Sequence, residues 1–279
     1  MSDIKPLVAA RYGTESTADV AHITVNHTLE TLLSHKSVRH FVADQPLVPK
    51  GSIDVLVAAA QSAPTSSNLQ AWSVVAVQDK DRKDKLATLS GDQQFIRDAP
   101  LFLVFTADLH RSDVVSAKES TPGDALAYTE LFLVGALDAA FAAQNTVVAA
   151  EALGLGVCYV GAARNKPREV AALLGLPPRV IALFGLAVGI PDKTAAAVSA
   201  PVKPRLPGAE VLHLETWDDS DQKTHLETYN KALGEFNSSQ RADQPAWTNR
   251  AAARVATKES LHGRHELLEV LKERNLARL

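Results

Sequence analysis

The stretch from Leu126 to Leu153 constrains the fold more than any other. Leu131, Val134, Leu137, Phe141 and Val148 recur there at helical spacing among many alanines. Gly154 and Gly156 follow as natural C-cap positions. A helix this apolar all round is buried, either at a domain centre or at a subunit interface. Four apolar segments can form the sheet that covers it. Ser73 to Val77 is β-branched, and Pro100 to Thr106 is a continuous apolar run that reads as a strand buried on both faces. Val157 to Gly161 and Val180 to Gly189 complete the set. Strands interleaved with helices give an α/β or α+β sheet covered by helices.

The spacing predicts further helices over Thr24–Leu33, over the Ile53 to Ala60 run, and from the charged stretch Asp79 to Lys85. Pro167 to Gly175 reads as a short helix with proline in its first turn and glycine at its end. Glu227 to Phe236 and Leu261 to Arg274 are two later helical patterns, separated by the polar segment Asn237 to Pro245. Lys193 to Lys203 reads as a connection and Ala209 to Leu214 as an edge strand. Residues 1–21 are mixed, and an arm clasping a partner or a frayed tail are both open for them.

Composition narrows the function classes. The 279 residues carry a net charge of -3, which favours neither nucleic acid nor an anionic membrane as a partner. No uncharged apolar run approaches the length of a membrane span. Cys158, the single cysteine, lies in an apolar run and reads as a small buried strand residue. The start of the sequence does not look like a secretory signal, and the expected location is cytoplasmic. There is no Gly-x-Gly-x-x-Gly after a first strand, no P-loop, no His-Glu-x-x-His and no Cys-x-x-Cys. A Rossmann site and a metal site therefore have no sequence support.

Two polar clusters remain. His35, Lys36, Ser37 and Arg39 place three potential cations and a hydroxyl within five residues. Such a set can hold a phosphate, or it can be a solvated basic turn. Thr65-Ser66-Ser67-Asn68 offers hydroxyls and an amide after Pro64, or is an ordinary loop with local hydrogen bonds.

Taken together these motifs identify a family. His35-x-Ser37-x-Arg39, then Pro64-x-Ser66-Ser67-Asn68-x-Gln70-x-Trp72, resemble the flavin-dependent nitroreductase superfamily. Gly154-Leu155-Gly156-Val157-Cys158-Tyr159-Val160-Gly161, Arg164-Asn165, the Leu183 to Pro191 segment and Lys203-Pro204-Arg205-Leu206-Pro207 follow in the expected order. The last two are most similar to the subgroup of the major oxygen-insensitive NADPH nitroreductase and flavin reductase P.

The resemblance implies an α+β fold, a three-layer α/β/α sandwich with a mostly antiparallel central sheet in an intertwined homodimer. It implies an N-terminal extension over 1–34, an FMN-binding core over 35–215 and a helical C-terminal extension over 216–279. Bound FMN would meet His35, Lys36, Ser37, Lys203 and Arg205 at its phosphate and Arg39 at the N1/O2 edge. Gln93 would face the ring edge, and Tyr159, Val160 and Gly161 would line the N5 side, with Gly161 offering an unobstructed backbone donor. Thr65, Ser66 and Ser67 would come from the partner subunit, so a monomer would be inactive. NADPH, with NADH also possible, would reduce the flavin, and a nitroaromatic, quinone or free flavin would then accept the hydride in a ping-pong reaction. Arg241 matches the arginine for the NADPH 2'-phosphate and Glu130 a carboxylate near the active site. The cofactor carries the chemistry, so no catalytic side chain is assigned.

Three residues depart from the subgroup: Lys36 replaces an arginine, Ala162 a second glycine and Trp72 a smaller residue. A flavin-binding sensor or storage protein without turnover, and a specialised reductase or dehalogenase on the same fold, are the alternative functions.

Overall fold

A computed structural model describes residues 3–13, 20, 22–42, 45–46, 50–240 and 242–279. The helices in chain order are α1 (Lys5–Tyr12), α2 (His27–Ser34), α3 (Ser52–Gln61), α4 (Lys80–Leu89), α5 (Gln94–Asp98) and α6 (His110–Lys118). They continue with α7 (Thr129–Ala152), α8 (Pro167–Leu174), α9 (Ala196–Ser199), α10 (Gln222–Ser239), α11 (Trp247–Val255) and α12 (Leu267–Glu273). The strands are β1 (Trp72–Val77), β2 (Leu101–Asp108), β3 (Gly156–Val160) and β4 (Val180–Gly189). The chain divides into two compact units, one of residues 1–36 and 199–260, the other of 37–198 and 261–279.

The second unit holds the sheet. Its order is β1-β2-β4-β3 and every pairing is antiparallel. All eight residues of β2 are buried, as a continuous apolar run requires. Successive side chains of a strand point to opposite faces, and β2 supplies both cores this way. Leu101, Leu103, Phe105 and Ala107 pack with Leu56 and Ala60 of α3 and with Ala139, Ala142, Ala143 and Val147 of α7. Phe102 and Val104 pack on the other side with Leu86 of α4, Ile96 of α5, Val170 of α8 and the strand-like segment of Val38 and Phe41. The result is helix, sheet, helix.

Close packing fixes some of the glycines. A Cβ on Gly185 would stand 2.1 Å from Cζ of Phe102, so that ring occupies the space a side chain would need. Gly135 plays a similar part in α7, where a Cβ would lie 2.9 Å from the Ala71 carbonyl oxygen. Small residues on α7 let it approach the sheet closely. The opposite flank of α7 leaves Leu133, Leu137 and Phe141 about half exposed in the single chain.

The first unit is helical. Tyr229 of α10 meets Trp247 of α11 edge-on, with ring centroids 5.4 Å apart. Asn230 ties the same pair, donating from Nδ2 to the Thr248 hydroxyl and accepting from the Thr248 amide.

The structure corrects several sequence expectations. Ala209 to Leu214 is not an edge strand: it holds a 3-10 turn over Gly208–Glu210, and Val211, Leu212 and Leu214 are exposed. Among the described residues no strand pairs with this segment. The Leu261 to Arg274 pattern contains only α12, after two 3-10 turns. Gly263 breaks it at φ +90°, where a Cβ would lie 2.6 Å from the Asn165 carbonyl oxygen. The separator after α10 begins later than expected, because α10 runs to Ser239. Of the two glycines after α7, Gly154 takes the left-handed conformation at φ +77°, whereas Gly156 lies within β3 against Val38.

Candidate functional site

In the first unit, His35 ends α2 and leads to Lys36, while Lys203, Pro204 and Arg205 lie on an irregular segment far away in sequence. One side chain joins them. The Arg11 guanidinium of α1 donates to the carbonyl oxygens of Leu33 (3.1 Å), His35 (2.6 Å) and Lys203 (3.1 Å). The Arg205 amide donates back to the Arg11 carbonyl oxygen at 2.8 Å. Lys36 Nζ donates to the Ala200 carbonyl oxygen at 2.6 Å. His35, Lys36, Lys203 and Arg205 thus share one neighbourhood, a donor-rich cationic set suited to a phosphate group. Arg11 was not legible as a site residue, since its one signal was a lone arginine in an unassigned segment.

In the second unit, Ser37 and Arg39 follow directly, and both are exposed. The Val38 amide between them donates to the Val157 carbonyl oxygen of β3 at 2.8 Å, which holds this stretch along the strand that carries Tyr159 and Val160 and leads into Gly161. Arg39 stands 5.9 Å over the Phe95 ring. Burial pushes the Cys158 thiol up, and the nearby Arg39 cation opposes the shift. A neutral buried thiol is a packing residue, as its sequence context predicts.

Gly161 opens a 3-10 turn after β3 (Gly161–Arg164). Neither backbone conformation nor crowding by the protein demands a glycine there. Its φ is not positive, and within 4 Å a Cβ would meet only the Arg164 guanidinium, at 3.6 Å. A bare backbone beside a flexible guanidinium suits a flat ligand that must approach the main chain closely. Ala162 likewise has no positive φ, so its departure from a glycine causes no backbone strain. Tyr159 packs edge-on against Phe184 (5.5 Å), and burial, then Glu151, pushes its phenol up to about 12.

Gln93 caps the start of α5, and its side-chain amide donates to the Ser90 carbonyl oxygen at 2.7 Å. Arg97 braces this loop through Asp92 (2.6 Å), Asp84 (2.5 Å) and the Thr88 hydroxyl (3.1 Å). Glu130 is exposed in the first turn of α7. Arg241 lies outside the described residues.

The loop Thr65 to Gln70 has an internal architecture. Ser67, Asn68 and Gln70 all adopt positive φ, between 50° and 54°. Such backbone costs energy in non-glycine residues unless its surroundings enforce it. Asp138 of α7, 2% exposed, does so by accepting from the Thr65 hydroxyl (2.6 Å), the Ser66 amide (3.2 Å) and the Ala71 amide (3.1 Å). The Gln70 amide then donates to the Thr65 oxygen at 2.8 Å. Ser66 and Ser67 are left exposed. Asp138 is a site residue that the sequence does not reveal, because nothing local marks a carboxylate whose partners lie about seventy residues upstream.

The antiparallel four-stranded sheet between two helical layers, with a cationic cradle and a bare-backbone turn after β3, defines an α+β protein of nitroreductase type. The Nitroreductase family matches residues 32–190 and the Nitroreductase family C-terminal domain residues 203–278. The FMN reductase (NADPH) of Bacillus subtilis is 41% identical over 215 residues, covering 76% of this chain and 84% of that one. The oxygen-insensitive NADPH nitroreductase of Salmonella typhimurium is 37% identical, covering 75% and 82%. The structure of the NADPH:FMN oxidoreductase from Vibrio harveyi complexed with NAD+ superposes with a TM-score of 0.79 at 32% identity, covering 91% and 100%. The chain belongs to the nitroreductase family.

Proposed function

We propose that this chain is an FMN-dependent oxidoreductase that draws hydride from NADPH, with NADH as a possible second donor. The observation that carries the reading is the gathering of His35, Lys36, Lys203 and Arg205 around one buried arginine in a chain of this family. When bound, FMN supplies hydride transfer from the nicotinamide to a nitroaromatic, a quinone or free flavin. His35, Lys36, Ser37, Lys203 and Arg205 hold its phosphate. Arg39 places a cation at the N1/O2 edge, Gln93 takes the ring edge, and Tyr159, Val160 and Gly161 leave the main chain open at the N5 side. Glu130 borders the acceptor and Arg241 takes the NADPH 2'-phosphate. No side chain of this chain serves as nucleophile or general acid.

Thr65, Ser66 and Ser67 are proposed to reach the flavin of a partner subunit in a homodimer with shared sites. The half-exposed Leu133, Leu137 and Phe141 of α7 support such an interface, since apolar groups at this density favour cover. Functionally we divide the chain into an N-terminal extension (1–34), a flavin-binding core (35–215) and a helical extension (216–279). The compact units interleave these segments. A cytoplasmic location is part of the proposal and is supported by the buried free thiol of Cys158. A sensor or store without turnover is not favoured, because the relatives are named as reductases.

Steady-state kinetics with FMN-loaded protein test this. Oxidation of NADPH by a quinone or nitroaromatic, with parallel double-reciprocal lines, supports the reading. A protein that binds no flavin and oxidises no NADPH overturns it.

A further inference from the structure

We infer that Arg11 is a positioning residue for the cofactor's phosphate end, an inference that rests on the FMN reading above. The phosphate-end residues sit on two stretches separated by more than a hundred and sixty residues, as the Lys36 to Ala200 contact illustrates. Lys36 on one stretch and Lys203 and Arg205 on the other are cations, and His35 adds a fourth when protonated. A phosphate site built on two such distant stretches needs them held side by side before the ligand arrives.

Arg11 does this through the backbone. Its planar fork bonds the carbonyl oxygens of His35 and Lys203 at the same time, and its own carbonyl oxygen accepts from the Arg205 amide. Arg11 is 7% exposed, so these bonds are largely shielded from water. A lysine offers a point charge without the fork and cannot span all three carbonyls in the same way. The residue is held in place by the N-terminal segment. Ile4 and Val25 are buried, and Asp3 bridges Thr24 in an antiparallel contact ahead of α2. The N-terminal extension is thereby neither an ornament nor a tail. It carries the pin that preorganises the cradle, so that phosphate binding does not have to bring two distant stretches together.

The test compares two ligands that differ only in the phosphate. Apoprotein is titrated with FMN and with riboflavin by flavin fluorescence, for the parent, Arg11→Ala and Arg11→Lys. In Arg11→Ala, FMN affinity is expected to fall by about 10- to 100-fold, while riboflavin affinity stays within about twofold, the scatter of ordinary surface changes. Arg11→Lys is expected to fall between. Circular dichroism reports whether each variant folds; should Arg11→Ala fail to fold, Arg11→Lys carries the comparison. An unchanged FMN-to-riboflavin preference in the folded variant overturns the inference, whether both affinities hold or both fall together. A parent that binds neither flavin overturns the FMN reading itself, and a parent that binds both equally removes the phosphate cradle from it; both results differ from a parent with a strong preference that the variant shares.

Discussion

The Thr65 hydroxyl donates to the Asp138 carboxylate at 2.6 Å, and through this contact the core helix α7 dictates the shape of the Thr65 to Gln70 loop. The same carboxylate holds the Ser66 and Ala71 amides. Asp138→Ala removes the acceptor of the buried Ala71 amide and of the part-buried Thr65 hydroxyl and Ser66 amide. A buried loss costs about 1–3 kcal/mol and part-buried ones less, so the variant should lose about 2 kcal/mol or more of stability in urea unfolding. Its loop should also become the first site of proteolysis. A loss under about 1 kcal/mol, well below the cost of a buried unpaired group, contradicts the bracket.

The centre of the sheet gives a stability prediction free of any ligand. A Cβ at Gly185 falls 2.1 Å from the Phe102 ring, and Phe102 is fully buried between β2 and the α4 and α5 layer. Gly185→Ala should destabilise by about 2 kcal/mol or more, at the upper end of overpacking costs. Gly161→Ala should leave stability nearly unchanged, because a Cβ there would meet only the Arg164 guanidinium, at an ordinary contact distance of 3.6 Å.

Arg168 gives a pH dependence. It donates to Glu266 at 2.6 Å and to both carboxylate oxygens of Glu273, and these bonds hold both carboxyls below the ordinary glutamate value. A carboxyl lowered in the folded state contributes stability that is present above its unfolded pKa and is lost as pH falls through the folded value. The parent should therefore lose stability more steeply than Arg168→Gln as pH drops below the usual glutamate range. All three groups face solvent, so the difference should shrink in high salt. Parallel stability profiles for the two proteins would remove this contribution.

Arg241 is the proposed contact for the NADPH 2'-phosphate. Arg241→Ala should raise KM for NADPH by about tenfold or more with much less change in kcat, the signature of lost uniform binding. NADH kinetics should hardly move, since NADH has no such phosphate. Equal losses with both nucleotides mean that Arg241 is structural.

Much of the fold was legible in the sequence because its signals are local. The four strands and the helices α3, α4, α7 and α8 stand where apolar periodicity, Pro167 and the C-terminal glycines put them. The false edge strand at Ala209 to Leu214 shows the limit of a short apolar run, which forms a strand only if a partner edge exists. Helices α1 and α6 escaped because short helices of low amphipathicity give weak periodicity, whereas α11 is amphipathic but only nine residues long. The motif residues of the site were found by resemblance. Their supports, Arg11 and Asp138, were not. Each acts on backbone groups remote in sequence, and a side chain to main chain contact leaves no mark on the identity of the residue it holds.

The most direct test of the account is anaerobic mixing of the FMN-loaded protein with stoichiometric NADPH, followed in the visible flavin band. The account predicts that the band bleaches within the turnover time and returns when a quinone is added in the absence of oxygen. A band that persists with NADPH and with NADH alike, in protein that has retained its flavin, would contradict it.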